Sequence, residues 1–157
     1  GGNDQIFVMD IKTKRRKQLT AGSSDAGGAS WSADGSKIVF HKITGRVANV
    51  WIMNSDGSNQ KKVTDGEGVN YNPAISPDNT SIVFVSNRDG RRFRELYKVG
   101  VGGENLMRLT RDYGRNDAPG WTNDGGRIVF ESGHDGNHHL CIMNNDGSNI
   151  KQLTYLK

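Results

Sequence analysis

Trp31-Ser32-Ala33-Asp34-Gly35-Ser36-Lys37-Ile38-Val39-Phe40 is the stretch that decides the fold. It joins a short run centred on an apolar residue to a β-branched and aromatic run through a polar turn. An Asp-Gly pair between two such runs predicts a hairpin of type I′ geometry, because Gly accepts positive φ without a Cβ clash. Lys37–Phe40 has the composition of a packed, pleated strand. The stretch also returns along the chain. Ile38-Val39-Phe40 recurs as Ile82-Val83-Phe84 and Ile128-Val129-Phe130, at spacings of 44 and 46 residues. Leu19-Thr20 recurs as Val63-Thr64, Leu109-Thr110 and Leu153-Thr154, at 44, 46 and 44. Trp31, Ile75 and Trp121 each follow one of those threonines by 11 residues. Self-similarity at this period marks a solenoid, a propeller or an array.

Working outward from Trp31, one unit runs from Ala29 to Thr64. After Phe40 a polar stretch leads to a third run, Asn49-Val50-Trp51-Ile52-Met53, and a second turn, Asn54-Ser55-Asp56-Gly57. The last run, Gln60–Thr64, is Lys-rich, as exposed edge strands are when they avoid pairing with other chains. No stretch reads as an amphipathic helix of useful length. The pattern predicts an all-β propeller of four-stranded antiparallel blades, each stabilised by its neighbours. Three complete blades are expected at 29–64, 72–110 and 118–154, with an N-terminal half blade at 5–20 made of Gln5–Met9 and Arg16–Thr20.

Trp31-Ser32-Ala33-Asp34-Gly35, Pro73-Ala74-Ile75-Ser76-Pro77-Asp78 and Pro119-Gly120-Trp121-Thr122-Asn123-Asp124-Gly125 resemble the PD-type WD40-like repeat of TolB-like β-propellers, as does Ser86-Asn87-Arg88-Asp89-Gly90. The resemblance spans Gln5 to Thr154, and the same repeat occurs in propellers of prolyl-oligopeptidase-like and tricorn-like proteases. It implies a non-catalytic scaffold that binds a protein or peptide partner, in the periplasm or another exported site. The rival readings are a propeller that gates substrate for a peptidase, and a propeller that binds a small ligand or carbohydrate.

A ring needs about four to eight blades, so this chain alone is not expected to close one. Either it belongs to a longer propeller, the missing initiator Met fitting a processed or excised chain and Gly1-Gly2 reading as a cloning scar, or two copies join into one ring. Self-association through open blade faces is expected in both cases.

Bulk properties narrow the class. The 157 residues carry 21 glycines, 33% hydrophobic residues and a net charge of +4, with a mean hydropathy of −0.69. Turn-dense β structure accounts for such a composition. No segment approaches the roughly 20 apolar residues of a membrane-spanning helix, so no membrane insertion is expected. One cysteine makes no internal disulfide, and Cys141 occupies the position of Trp51 and Tyr97, so it reads as a small buried hydrophobe. The basic clusters Lys12–Lys17 and Arg88–Arg94 are expected to be solvated hairpins. Without interleaved aromatic residues they offer no platform for nucleic-acid bases.

Candidate chemistry is sparse. There is no G-x-S-x-G elbow and no zinc-spaced Cys/His set. No catalytic residue, metal or cofactor is therefore assigned. His134, His138 and His139 fall before the third strand of the last unit and are expected on an outer polar hairpin. Asp34, Asp78 and Asp124 recur at turns, where Asp caps its own backbone. Asn79-Thr80-Ser81 satisfies a glycosylation sequon. The remaining polar positions, Asp25–Gly28, Val69–Asn72 and Arg115–Ala118, read as connections between units, and such loops ring the mouth of a propeller channel. The candidate partner-binding residues are Asn70, Tyr71, Arg115, Asn116 and Asp117.

Overall fold

The computed structural model describes residues 3–66, 68–90, 94–111, 114–133 and 136–155. Among the described residues fourteen strands form one two-stranded and three four-stranded antiparallel sheets. The first sheet pairs β1 (Phe7–Met9) with β2 (Arg16–Gln18). The second runs β3 (Asp25–Trp31), β4 (Lys37–Thr44), β5 (Val47–Asn54) and β6 (Lys61–Lys62) in sequence order. The third runs β7 (Asn70–Ile75), β8 (Ser81–Ser86), β9 (Glu95–Gly100) and β10 (Met107–Arg108). The fourth runs β11 (Asn116–Trp121), β12 (Arg127–Ser132), β13 (His139–Asn144) and β14 (Lys151–Gln152). This up-and-down order is that of propeller blades. It places the β4–β5 turn and the end of β8 at the same end as the connections between sheets.

The triplet Ile-Val-Phe packs the blades because alternate side chains face opposite sides of a sheet. Ile38 and Phe40 join Met53 against Ile6 and Leu19, which flank the two-stranded sheet. Val39, Val50 and Val63 pack the other face of that blade onto Ile82, Phe84, Tyr97 and Val99. Val83, Leu96 and Leu109 repeat the arrangement onto Ile128, Phe130, Cys141 and Met143. Phe40, Phe84 and Phe130 are fully buried, and burial of such a side chain contributes about 1.5–3 kcal/mol.

The same periodicity exposes two faces. Leu140 and Leu153 hold the positions of Val50 and Val63 but are 42% and 47% exposed. Phe7 and Met9 hold the positions of Tyr97 and Val99 but are 56% and 47% exposed. Among the described residues no further sheet covers either face.

Two sequence expectations need correction. The Asp-Gly turns are not type I′, because only the glycine, and not the aspartate, has positive φ. Gly35 N–H donates to Ser32 O, and Ser32 N–H to Lys37 O, which describes a type I turn followed by a left-handed residue. Asn79 and Gly125 take that left-handed place in the next two blades, with φ of 60° and 67°. The Asp side chains fill the turns: Asp34 Oδ1 accepts from Ser32 Oγ and Ser36 N–H.

The second correction concerns the supposed inter-unit loops. Residues from Asp25, Asn70 and Asn116 onward belong to the inner strands β3, β7 and β11. Each of those strands carries a bulge, between Gly27 and Ser30, Tyr71 and Ala74, and Asp117 and Gly120. Gly28, Asn72 and Ala118 occupy it with φ of 58°, 47° and 47°. A bulge breaks the two-residue alternation, so the segment does not read as strand.

Candidate interaction site

A threonine latch closes each blade at the end that carries the inter-sheet connections. Thr20, Thr64, Thr110 and Thr154 accept, each at 2.9 Å, the backbone N–H of Ile6, Val50, Leu96 and Leu140. The hydroxyls of the first three donate to Gln5, Asn49 and Glu95 respectively. The recurring Thr is therefore a cross-strand tie.

The inner strands reach back to this latch. Asn70 Nδ2 donates to Ala48 O at 3.0 Å, and Asn116 Nδ2 to Arg94 O at 3.0 Å and Glu95 Oε2 at 3.1 Å. Both asparagines are fully buried. The structure thus places two of the five candidate residues inside the blade junctions as backward-pointing clamps. Their recurrence at 46 residues, the interval of the structural repeat, is the signal that could have marked them as framework.

Tyr71 and Asp117 are brought together by a residue that sequence reasoning did not single out. Arg94 stacks over the Tyr71 ring at 5.3 Å and pairs with Asp117 Oδ2 at 3.2 Å. Asn72 Nδ2 donates to Asp117 Oδ1 at 2.7 Å. Burial, aided by the negative charge of Asp117, pushes the Tyr71 phenol up to about 12, so the ring is neutral and its hydroxyl keeps its proton. On its other side Tyr71 meets His41 edge-on, with centroids 6.3 Å apart. Arg115 is exposed nearby in sequence, one residue before β11, and bridges to Arg94 through its backbone. Tyr71, Arg94, Arg115 and Asp117 thus span the inner strands of two blades at the connection end.

The basic stretch after β8 is not uniformly solvated. Arg88 lies half-buried over the rings of Tyr97 at 5.1 Å and Phe84 at 5.5 Å. Asp89 Oδ2 accepts from Tyr97 Oη at 2.6 Å and from Arg108 Nη1 at 3.0 Å. The Tyr97 bond, with Arg108 behind it, holds the Asp89 carboxyl below its ordinary range. Arg91 and Arg92 lie outside the described residues. In the N-terminal basic cluster, Lys12 and Lys14 are exposed around the β1–β2 turn.

His138 and His139 have separate partners. His138 is exposed against Glu131, while His139 is buried at the start of β13 with Nδ1 3.0 Å from Thr154 O. His134 lies outside the described residues. Among the described residues no group of three or more His, Cys, Asp or Glu side chains is placed to hold a metal ion. Cys141 is fully buried in the junction between the last two blades.

Antiparallel four-stranded sheets at a fixed period, packed face to face with their inner strands adjacent, define a β-propeller repeat array. The chain belongs to the TolB beta propeller domain family, which it matches over residues 1–156. It is similar to an uncharacterized protein of Agrobacterium fabrum, Atu1656, with 33% identity over 89 residues, 55% of this chain and 30% of that protein. It is also similar to the protein TolB homolog of Chlorobium luteolum, with 32% identity over 103 residues, 64% of this chain and 23% of that protein. The chain thus spans less than a third of the length of these curated relatives. Among solved structures, TolB from Acinetobacter baumannii superposes with a TM-score of 0.84 at 22% identity, over 96% of this chain and 37% of that one, which shows the shared fold.

Proposed function

We propose that this chain is part of a non-catalytic protein-interaction scaffold of the TolB-like type, taking a peptide or protein segment at the connection end of its inner strands. The observation that carries this reading is the Tyr71–Arg94–Asp117 group. The repeating threonines and aspartates around it are tied into latches and turns, whereas these side chains differ between blades and meet at one end. Arg94, with half its side chain exposed, offers a guanidinium to an incoming backbone or carboxylate. The family supports a periplasmic or otherwise exported setting. The exposed Leu140 and Leu153 face, equivalent to two filled junctions, supports association with a further sheet, supplied by a longer chain or a second copy.

A photocrosslinking amino acid at Arg115 tests the first point, with the same group at Lys61 on the outer edge as control. The reading expects polypeptide adducts from position 115 and none from 61. Adducts at equal yield from both, or none from 115, overturn it. Light scattering across a concentration series tests association: wild type is expected to grow in mass with concentration, and Leu140→Glu to remain near 17 kDa.

A further inference from the structure

A pocket of about 480 Å³ opens between the β4–β5 turn and the segment after β8, at the connection end of the first two full blades. Arg46 and Arg88 line it, with Val47, Val69 and the Gly68 backbone between them. We propose that this pocket binds a carboxylate, from an acidic side chain or a C-terminus, carried by the peptide partner. This inference rests on the peptide-binding reading above.

Arg88 forms one wall of the pocket. Its Nε donates to Ser86 Oγ at 3.2 Å and its Nη2 to Asn70 Oδ1 at 2.9 Å, both neutral acceptors. Phe84 and Tyr97 lie against the guanidinium and fix it further. Removing a cation from water costs free energy that neutral acceptors return only in part. The adjacent carboxylate, Asp89, is directed to Tyr97 and Arg108, and Arg88 itself forms no ion pair among the described residues. Its positive charge therefore stands at the pocket wall without a contacting anion, and Asp89 acts on it only at longer range.

Arg46 supplies the second jaw. It is exposed on the turn after β4 and makes no ion pair among the described residues. The wall between the arginines is held in shape: Asn87 Oδ1 accepts Val69 N–H at 2.8 Å, and a Cβ on Gly68 would stand 2.7 Å from that oxygen. Gly68 has a φ of 102°, so the left-handed backbone and the close approach both require glycine. Arg88 keeps its Nη1 donors outside these bonds, and together with the exposed Arg46 guanidinium they match the planar oxygens of a carboxylate; the held Arg88 loses less freedom on binding than a lysine would. Val47 and Val69 offer apolar contact to the residue that bears it.

The test uses the full chain with ¹⁵N-labelled arginine, titrated with hexaglutamate, hexaglutamate amide, hexaglutamine amide and inorganic phosphate. The proposal expects the Arg88 and Arg46 Nε–Hε resonances to shift with hexaglutamate and stay in place with hexaglutamine amide; a shift kept with hexaglutamate amide assigns the carboxylate to side chains, and one lost there assigns it to the C-terminus. Arg46→Glu, a change on an exposed turn, is expected to weaken hexaglutamate binding about tenfold or more, the loss of one charge-assisted bond. Lys61→Glu changes net charge equally and is expected to cost about twofold or less, through screened long-range charge alone. Equal losses in the two variants overturn the pocket, as does binding that leaves the arginine resonances unmoved. Saturable phosphate binding without a hexaglutamate response overturns the carboxylate assignment. Adducts at position 115 with a silent pocket refute this inference alone, and a responsive pocket without adducts refutes the peptide-binding reading instead.

Discussion

The indole Nε1 of Trp121 donates to the Ala74 carbonyl oxygen at 3.0 Å, so a side chain ties the inner strand of the last blade to that of the blade before it. Trp31 holds the same repeat position but is 49% exposed. The sheet preceding β3 contributes only β1 and β2 among the described residues, and no inner strand stands beside Trp31 to accept its N–H.

Trp121→Phe keeps an aromatic ring and removes this donor, so it is expected to cost about 1 kcal/mol. Trp31→Phe is expected to change stability by less than about 0.5 kcal/mol. Urea unfolding of both variants measures the difference. Equal losses would mean that the cross-junction bond contributes nothing.

The clamps make a sharper prediction. Asn116→Ala strips a buried partner from Arg94 O, Glu95 and Thr110 together, an expected loss of about 1–3 kcal/mol. Arg115→Ala, one residue earlier and exposed, is expected within about 0.5 kcal/mol of wild type. If Asn116→Ala melts with wild type, the asparagine is free for a ligand after all.

The bulge positions predict opposite signs for opposite substitutions. Ala118 sits at φ 47°, where an L side chain carries strain, so Ala118→Gly is expected to stabilise by about 0.5–1 kcal/mol after the extra unfolded-state entropy is counted. Gly28→Ala meets the same backbone and also brings its Cβ to 2.7 Å from His41 Nδ1; an expected loss of about 2 kcal/mol or more follows. Thermal unfolding reads both, and a loss in Ala118→Gly would refute the strain argument.

Acid should weaken the turns. The Ser32 hydroxyl, then the Ser36 N–H and hydroxyl, hold Asp34 down to about 2, below an unfolded carboxyl near 3.9. The folded state thus binds its proton later than the unfolded state. The stability from this group is complete above about pH 4 and is lost as pH falls toward 2. Asp78 and Asp124 are lowered chiefly by Ser76 and Thr122 in the same way. Urea midpoints measured from pH 5 to pH 2 should fall less steeply for Asp34→Asn than for wild type, and parallel curves would dismiss the turn as the cause.

Burial sets a second window, through His41. It depresses the folded imidazole below its ordinary 6.5, so stability is complete above that value and is lost as pH falls through the lower folded one. Nδ1 lies buried without a hydrogen-bond partner among the described residues, beside Gly28. NMR titration of the ring should place its midpoint below 6.5; a midpoint at or above that value would remove the cost assigned to burial.

The strands of each blade were legible because Ile-Val-Phe and the Thr positions repeat in phase with the sheets they build. The inner strands were not, because a left-handed residue at Gly28, Asn72 or Ala118 interrupts the alternation that marks a strand. The asparagines misled for a related reason: polar residues in a short irregular segment look available, whereas Asn70 and Asn116 are consumed by carbonyls 22 residues behind them. Arg94 left no local trace, since its carboxylate partner Asp117 lies 23 residues ahead. Tyr71 and Asp117 belong to different blades, and their proximity appears only when the junction forms.

The asparagine clamps also give the array a direction. Each is carried by the later blade and received by the earlier one, so the receiving carbonyl precedes its donor in the chain. During synthesis, a ribosome would release the socket before the plug. Every new sheet could then dock on one already standing, and assembly would proceed from the amino end without waiting for the last strand to emerge.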